Sequence, residues 1–304
     1  MHKPIYVIGS ANTDMVVMTK KLPMPGETVI GGTFFMNPGG KGANQAVAAS
    51  RLGGQVSFVG KIGSDLFGEQ MLQQFQREKI NTTFVLQDHE HPSGIALIGV
   101  DAHGENTIIV APGSNRHLSV EDVRTALTSI REPAIILIQL EIPIETVEFA
   151  ITYGKQIGCD VILNPAPVQP IDGKVMGHLY LITPNESEAE MLTGIPITNL
   201  SAAEQAATHL FQSGIKNVVI TLGAKGAYLY SASFNKLILA PAVTAVDTTA
   251  GGDCFNGALA VALASDLAID KAVEFACTAA SISVTRMGAQ SSMPYKHEVS
   301  TPSR

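Results

Sequence analysis

The stretch VDTTAGGDCFNGALA, residues 246–260, leads two adjacent glycines and an acidic residue straight into a helix of small residues. Glycine has no Cβ, so a ligand can approach the N–H groups of Gly251 and Gly252, which the first helical turn leaves unpaired. Those donors and the positive end of the helix dipole favour an anion, most naturally a phosphate. Asp253 is then in position to accept a proton from an alcohol that attacks this phosphate. The alternative is that Asp253 only caps the helix, since aspartate is a favoured cap.

The composition indicates a globular protein that acts on small molecules. The 304 residues are 45% hydrophobic, which is enough for one large α/β domain or two ordinary ones. A net charge of −7, without a cluster of Lys or Arg, argues against nucleic acid or an anionic membrane as the main partner. Three widely spaced cysteines in apolar contexts fit a reducing cytoplasm and no zinc site. No apolar run is long enough for a signal peptide or a membrane span, so we expect a cytoplasmic protein.

Apolar runs typical of strands alternate with helical patterns, which indicates a parallel sheet covered by helices on both faces. Two β-rich insertions, about 15–36 and 82–110, interrupt this alternation and predict a small separate sheet that serves as a lid, an interface or both. Their apolar runs and strand edges need a partner, so we expect a homodimer built from them. No linker or repeat divides the chain, which predicts one domain over residues 1–304. The other predicted strands are 5–8, 56–59, 134–140, 160–163, 179–182 and 217–222, and the later helices are 119–130, 144–157, 187–193, 201–213, 252–264 and 270–285.

Polar residues follow the predicted strands at several points, and ligands of open α/β sheets bind beyond the carboxyl ends of the strands. Asn12 and Asp14 follow the first strand and are candidates for binding sugar hydroxyl groups or for a plain Asx turn. Glu141, Asn164 and Asn185 follow three later strands. Each residue alone fits a cap or a turn, whereas the convergence of several strand ends on one edge of the sheet predicts a binding site.

The segment NPGGKGANQ, residues 37–45, is a second glycine-rich start of a helix. Its spacing is neither the GxxxxGK[ST] of a P-loop nor a GxGxxG fingerprint, so we expect no nucleotide site there. Lys41 and Asn44 lie one helical turn apart and can both face a polyol. The lack of GxGxxG after the first strand also argues against a nicotinamide-dependent dehydrogenase.

Asp247 begins the loop that carries the glycine pair, yet it has no evident sugar or phosphate role. One interpretation is an aspartate that stabilises a turn. The other is a cation site, because the segment 283–292 leaves a helix at Gly288, where backbone carbonyl oxygens are free to converge. One carboxylate and several carbonyls suit a monovalent cation, K⁺ first, better than a divalent ion with stricter geometry.

The two glycine-rich segments, GGKGAN at 39–44 and DTTAGGD at 247–253, resemble the signatures of the ribokinase-type, or phosphofructokinase-B, carbohydrate kinases. GSANTD, LNPAP, TPNESEAE, TLGAKG and VTRMGAQSS extend the resemblance, in the family's order, over nearly the whole chain. It implies a three-layer α/β/α sandwich with a mostly parallel sheet and a small β-sheet lid that pairs two subunits. It also implies transfer of the ATP γ-phosphate to a sugar hydroxymethyl group, with Mg²⁺ present. The family signature usually reads DTxGAGD, so Ala250 and Gly251 exchange the small residues, and we expect the anion hole to survive.

The resemblance further implies roles for individual residues. The general base matches Asp253, beside an anion hole formed by Ala250, Gly251 and Gly252. The positions that match sugar contacts are Asn12, Asp14, Gly40, Lys41, Asn44, Glu141 and Asp253. Asn185 and Glu188 match the element that organises Mg²⁺ and the phosphates, largely through water, and the other nucleotide positions are Thr221, Gly223, Gly226 and Gly252. The positions that match a K⁺ site are Asp247, Thr249, Ser283, Arg286, Gly288 and Ser292.

Phosphoryl transfer to a small furanose is therefore the expected reaction, and D-ribose, 2-deoxyribose and a nucleoside stay open as substrates. Asp14, Lys41 and Asn44 suit adjacent secondary hydroxyl groups, so we expect D-ribose, with ribose 5-phosphate as product, to be preferred to 2-deoxyribose. A non-catalytic sugar-binding regulator of the same fold would lack the base or the Mg²⁺-organising pair, and all three residues are present. The closing segment HEVSTPSR is shorter than the last helix of many relatives, which affects only the expected C-terminal packing.

Overall fold

The structure is a computed structural model and describes residues 3–300. Within that range, strands and α-helices alternate along most of the chain, as predicted. The strands are β1 Ile5–Ile8, β2 Asn12–Met18, β3 Thr33–Gly39, β4 Val56–Gly63, β5 Asn81–Asp88, β6 Gly94–Val100, β7 Asn106–Ala111, β8 Ile135–Ile138, β9 Asp160–Leu163, β10 Leu181–Ile182, β11 Asn217–Thr221, β12 Ala227–Ser231 and β13 Asn235–Ile238. The helices are α1 Lys41–Arg51, α2 Leu66–Arg77, α3 Val120–Thr128, α4 Ile144–Gln156, α5 Gly173–Met176, α6 Glu186–Thr193, α7 Leu200–Gln212, α8 Gly251–Ala264 and α9 Ile269–Ser283.

Nine of the described strands form the main sheet, in the order β13-β12-β11-β10-β9-β8-β1-β4-β5. Neighbours from β11 to β5 run parallel, whereas β12 and β13 pair antiparallel at one edge. In β8, Ile135 and Leu137 pack into one hydrophobic cluster, and Ile136 and Ile138 pack into another. Both faces of the sheet are thus covered, and the predicted α/β/α sandwich is confirmed.

The glycine-rich helix α8 packs against α1 on one face of the main sheet. A Cβ on Gly257 would stand 2.7 Å from the Ala48 side chain and from the Gln45 carbonyl, so the two helix backbones lie close together. The N–H group of Ala43, near the start of α1, donates to the Ser10 carbonyl just beyond β1. The starts of α1 and α8 therefore meet at the edge of the sheet where the parallel strands end.

The four other described strands form a separate sheet, named the lid after the role expected of it, in the order β3-β2-β6-β7. β2 is a central strand of the lid, and its first residue, Asn12, pairs with Gly39 of β3 and with Gly94 of β6. The lid exposes large apolar side chains, among them Phe34 at 58% and Ile109 at 63%. The small second sheet that the sequence predicts is therefore present.

The lid boundaries predicted from the sequence are partly wrong. Residues 82–88, assigned to the second insertion 82–110, lie in β5, which pairs parallel to β4 at the edge of the main sheet. The lid strands of that insertion begin only at Gly94. β2 and β3 extend beyond the first insertion, 15–36, at both of its ends. An apolar pattern with strand character fits either sheet, and the pairing with β4 decides which one β5 joins.

Residues 1, 2 and 301–304 lie outside the described range, so the single domain over 1–304 and the effect of the closing segment stay predictions. Lys296–Glu298 form a short helical turn before that end. No helix within residues 3–300 is long and apolar enough to cross a membrane.

Candidate active site

Asp253 lies in the first turn of α8 with its carboxylate buried. Its Oδ1 accepts a hydrogen bond from Gln45 Nε2 and its Oδ2 accepts one from Asn44 Nδ2, both at 3.0 Å. Within residues 3–300 no side chain caps α8, so the interpretation of Asp253 as a helix cap is wrong. Burial raises the pKa of Asp253 above its ordinary value, although Lys41 and the two amide donors oppose the shift. A buried carboxylate with a raised pKa at the start of a helix suits proton acceptance.

The backbone at the start of α8 is open to a ligand. Ala250 has a left-handed conformation, with φ of 56°, and turns the chain into the helix. A Cβ on Gly252 would meet no atom within 4 Å, so a ligand has room beside this residue. The N–H group of Gly251 donates to the Thr248 carbonyl at 3.2 Å, whereas those of Ala250 and Gly252 have no partner within residues 3–300. Two of the three expected donors are therefore free to meet an anion, and Gly251 closes the turn.

Three carboxylates, of Asp14, Glu141 and Asp253, lie close to Lys41 at the start of α1, and charges within this cluster shift the pKa values of Asp14, Lys41 and Asp253. Burial, with the nearby charges of Glu141 and Asp253, raises the pKa of Asp14 to about 7. Burial disfavours the charge on Lys41, but Asp253, Glu141 and Glu188 outweigh it and keep the Lys41 pKa above its ordinary value. The backbone N–H of Lys41 donates to Glu141 Oε2 at 3.1 Å. Lys41 therefore stays protonated, whereas the Asp14 carboxylate is only partly ionised near neutral pH.

Asn12 is held in one orientation by a buried neighbour, Asn115. Asn115 Nδ2 donates to Asn12 Oδ1 at 2.8 Å, and Asn115 Oδ1 accepts from the Ala11 N–H at 2.9 Å. The Asn12 side-chain oxygen is thus occupied, and its amide nitrogen is left as a donor. Gly40 has φ of 87°, and a Cβ there would stand 2.7 Å from the Asn12 backbone nitrogen, so this position beside Asn12 requires glycine.

Four buried polar residues around the site were missed by the sequence analysis, namely Ser10, Gln45, Asn115 and Gln139. Ser10 Oγ donates to Glu141 Oε2 at 2.5 Å and so fixes that carboxylate beside the start of α1. The signal for Gln45 was available, because α1 otherwise buries mainly small apolar residues and a long amide among them needs partners. Asn115 lies in a short 3₁₀ helix, Gly113–His117, where no pattern distinguishes it from an ordinary turn residue.

Asn185 and Glu188 form a reciprocal cap at the start of α6. Asn185 Oδ1 accepts from the Glu188 N–H, and Glu188 Oε2 accepts from the Asn185 N–H, both at 2.8 Å. Burial raises the pKa of Glu188; the Asn185 hydrogen bond and Lys41 oppose this shift, and Asp253 adds to it. The pair therefore has a structural role and also lies within electrostatic range of the carboxylate cluster.

The predicted nucleotide loop, 221–226, begins beside this cap, since Thr221 bridges to Asn185. Gly223 is exposed and has φ of 56°. Gly226 is buried, and a Cβ there would clash with the last carbonyl of β13. Close packing explains the glycine at 226, whereas Gly223 lies on the open side of the loop.

Asp247 joins the two segments of the predicted cation site. Its Oδ1 accepts from the Thr249 N–H at 2.9 Å, and its Oδ2 accepts from the Gly288 N–H at 2.8 Å. Burial opposes ionisation, but these hydrogen bonds outweigh it and lower the Asp247 pKa below its ordinary value. Asp247, Thr249 and Gly288 are therefore brought together, by contacts that also fit a turn-stabilising aspartate.

The remaining predicted cation residues have local side-chain partners. The hydroxyl groups of Ser283 and Ser292 donate to carbonyls of their own helical turns, and Arg286 pairs with Glu298 at 2.5 Å. Within residues 3–300 no group of three or more His, Cys, Asp or Glu side chains is arranged to hold a metal ion. A cation between these segments would therefore depend mainly on backbone oxygens.

Two open cavities border some of the candidate sugar residues. One, of about 1350 Å³, lies between the lid and the loops near 247 and 288, and Asp14 lines it. The other, of about 490 Å³, is lined by Asn12, Glu141 and the segment beyond β8. Three of the candidate sugar contacts therefore border accessible space, whereas the other four line neither of these cavities, namely Gly40, Lys41, Asn44 and Asp253.

A parallel α/β sandwich with a second small sheet, and a buried carboxylate beside open backbone donors at a glycine-rich helix start, are the features expected of a phosphotransferase with an alcohol acceptor. The pfkB family carbohydrate kinase model matches residues 3–296 of this chain. The chain belongs to the pfkB family of carbohydrate kinases. The family and the enzyme class expected from the two glycine-rich segments are thereby confirmed.

The chain is similar to known kinases over nearly its whole length. It is 43% identical to the ribokinase of Haemophilus influenzae, over 98% of this chain and 97% of the relative. It is 38% identical to the deoxyribokinase of Salmonella typhi, over 95% of each. The structure of Arabidopsis thaliana ribokinase complexed with ribose and ATP is 32% identical, with a TM-score of 0.87 over 98% of this chain and 97% of that chain.

Proposed function

We propose that this protein transfers the γ-phosphoryl group of ATP to the hydroxymethyl oxygen of D-ribose and yields ribose 5-phosphate. The observation that carries the proposal is the buried Asp253 carboxylate, held by two amides beside the open backbone of Gly252. An alcohol between these groups meets a base on one side and donors for a phosphate on the other. Among the sugars, ribose is supported by the similarity to the ribokinases of Haemophilus influenzae and Arabidopsis thaliana.

The sugar is proposed to bind against Asn12, Asp14, Lys41 and Asn44. Asn44 Nδ2 donates to Asp253, whereas its buried Oδ1 has no partner within residues 3–300. A buried polar atom without a partner costs about 1–3 kcal/mol, so a sugar hydroxyl that donates to this oxygen is favoured. Asp14 adds an acceptor and the Lys41 ammonium adds a donor, which together suit adjacent hydroxyl groups.

The transferring phosphoryl group is proposed to face the N–H groups of Ala250 and Gly252 at the positive end of α8. Its transfer depends on in-line positioning and on neutralising charge that spreads over the phosphate oxygens. The carboxylate and amide oxygens of Glu188 and Asn185 fit Mg²⁺ held through water, and the bound ion would neutralise phosphate charge. Asp253 orients the hydroxymethyl group and accepts its proton late in the transfer, a contribution of about 10²–10⁴-fold.

The rest of the nucleotide is proposed to lie along the loop 221–226, on the side of the exposed Gly223. A K⁺ ion is proposed between the segments that Asp247 and Gly288 join. Bound there, it would brace the loop that leads to the helix start and so fix the phosphate donors. Those donors matter most in the transition state, so the cation should act mainly on kcat.

A homodimer through the lid is proposed because the lid strands expose large apolar side chains that a second copy can cover. The exposed residues that support this surface are Val17, Met18, Phe34, Met36, Leu97, Ile108, Ile109 and Val110. A cytoplasmic location is proposed from the three cysteines, all free and buried.

2-Deoxyribose is the second candidate substrate, because the Salmonella typhi deoxyribokinase is also similar over nearly the whole chain. A site that bonds a hydroxyl group discriminates strongly against the analogue that lacks it, which favours ribose. The test is ADP release with D-ribose, 2-deoxyribose and nucleosides at fixed ATP and Mg²⁺. D-Ribose should give the highest kcat/KM; equal or better use of deoxyribose would assign the second function. Release of ADP with none of them would reject both.

A further inference from the structure

A chain of buried side-chain amides lies against Asp253. Gln45 Nε2 donates to Asp253 Oδ1 and to Asn164 Oδ1, both at 3.0 Å. Gln45 Oε1 accepts from Gln139 Nε2 at 2.6 Å. Gln45 and Gln139 are 0% exposed, and Asn164 is 7% exposed. Both ends of the Gln45 amide are therefore bonded to protein, and its side chain has no access to solvent or substrate.

The partners of Gln45 permit one orientation of its amide. A reversed amide would direct its oxygen at the Asp253 carboxylate and its NH₂ group at the NH₂ group of Gln139. Two acceptors would then face each other at Asp253 and two donors at Gln139, and both hydrogen bonds would be lost. In a buried environment an unmade hydrogen bond costs free energy. The Asp253 carboxylate and the Asn164 side-chain oxygen, which both accept from Nε2, therefore hold the donor end of Gln45 toward Asp253.

We propose that Gln45 is a positioning residue, which fixes the plane of the Asp253 carboxylate and favours its charged form. The inference rests on the proposed role of Asp253 as the general base. Gln45 holds Oδ1 while Asn44 holds Oδ2, so the two contacts together define the direction in which the free lone pairs point. Because Gln45 is fully buried, its effect on the reaction passes through Asp253.

The donor from Gln45 matters because Asp253 is buried among other charges. Burial raises the Asp253 pKa, whereas Lys41, Gln45 and Asn44 lower it. The ionisable groups that interact with Asp253 are Lys41, Asp14, Glu141, Glu188 and the buried thiol of Cys254. A hydrogen bond to a charged group corresponds to about one to two pKa units. Without it the carboxylate is protonated at a higher pH, and the protonated form cannot accept the proton of the sugar hydroxyl.

The experiment compares the pH dependence of kcat in wild type, Gln45→Met and Gln45→Glu, with ATP, Mg²⁺ and ribose saturating. Methionine keeps the length of the side chain and removes the donor, whereas glutamate directs a second carboxylate at Asp253. Gln139→Met is the matched control, since it removes an equally buried amide that contacts Gln45 and not the base. ADP release is measured from about pH 5.5 to pH 9, where the acid limb of kcat reports the base in the complex.

The acid limb of Gln45→Met should move up by about one pH unit, and that of Gln45→Glu further, because two adjacent carboxylates share a proton. The limb of Gln139→Met should stay with that of wild type. KM for ATP should be unchanged in all three variants, because none of the substituted side chains can reach the nucleotide. A Gln45→Met limb that coincides with wild type, or an equal shift in Gln139→Met, would overturn the proposal.

Circular dichroism checks that the variants fold, and Gln45→Glu keeps the experiment decisive if Gln45→Met does not. Failure of both to fold would replace the positioning role with a role in packing. Asp253→Asn distinguishes a failure of the proposed base from a failure of the proposed role of Gln45. If it keeps the wild-type kcat, Asp253 is not the base, and the proposed mechanism and this inference fall together. If it loses activity while Gln45→Met keeps the wild-type limb, only this inference falls.

Discussion

Asp14→Asn should remove a pH dependence from the use of ribose. Burial and the charges of Glu141 and Asp253 raise the Asp14 pKa to about 7, and the ionised carboxylate is the form that accepts sugar hydroxyl groups best. With that pKa, the ionised fraction rises from about one tenth at pH 6 to about nine tenths at pH 8. Because kcat/KM reports the free enzyme, its value for ribose should rise about tenfold over this interval in wild type.

The assay is kcat/KM for ribose at saturating ATP and Mg²⁺, measured by ADP release across this interval. Asparagine accepts a hydrogen bond without titrating, so Asp14→Asn should have a flat profile at a lower level. Glu141→Gln removes a charge that raises the Asp14 pKa, so its limb should move to lower pH. A flat wild-type profile, or a limb that persists in Asp14→Asn, would refute the reasoning.

The same carboxylate should cost stability in the free enzyme. The folded pKa of about 7 lies above the ordinary value of 3.8, so the folded state binds the proton more tightly. The free energy of unfolding then falls as the pH rises from about 3.8 to about 7. The total loss, complete above pH 7, is up to about 4 kcal/mol. Asp14→Asn should therefore raise Tm in calorimetry at pH 8 and have less effect near pH 4. A lower Tm than wild type at pH 8 would contradict this.

Asp253→Ala should lower kcat by about 10²–10⁴-fold while folding and ADP binding persist, and retention of more than about a tenth of wild-type turnover would indicate a purely structural residue. K⁺ should raise kcat above that in Na⁺ or tetramethylammonium chloride at equal ionic strength. Equal rates in all three salts would indicate that Asp247 only stabilises a turn. Light scattering should give a dimer at micromolar concentration and a shift toward monomer in Ile109→Lys, and a wild-type monomer would rule out the lid interface. Asn115→Leu should raise KM for ribose more than KM for ATP, because Asn12 loses the contact that orients it; an equal rise in both would point to general loosening.

The alternation of strands and helices could be predicted because a buried element requires apolar residues at spacings that can be read from the sequence. Ile135–Ile138, four consecutive apolar residues, is typical of a strand covered on both faces, and alternate residues do enter opposite hydrophobic clusters. β5 could not be assigned to its sheet in this way. The apolar pattern of β5 fits any strand that has one covered face. Which sheet β5 joins depends on its pairing with β4, and the local sequence does not specify that partner.

The site was predictable where function demands unusual residues near helix starts or strand ends, as for Lys41 and Asp253. The partners that hold the Asp253 carboxylate were not predictable, because one of them, Gln45, is separated from Asp253 by 208 residues. The role of Asn115 could not be predicted for the same reason, since its contact with Asn12 spans 103 residues. Such partners are selected by the packing of whole elements and leave no periodic signal in the chain.

The first residue of β2, Asn12, is both a candidate sugar contact and the point where the lid pairs begin, opposite Gly39 and Gly94. A rigid rotation of this sheet about Asn12 would therefore be centred on the candidate sugar contact. Its arm is the seven-residue strand β2, about 20 Å long at the usual rise per residue. A rotation of about ten degrees at Asn12 moves the Met18 end by about 3–4 Å, a shift that approaches the spacing between neighbouring strands. A small change of backbone direction at Asn12 would therefore appear as a displacement of several ångströms at the exposed end of β2.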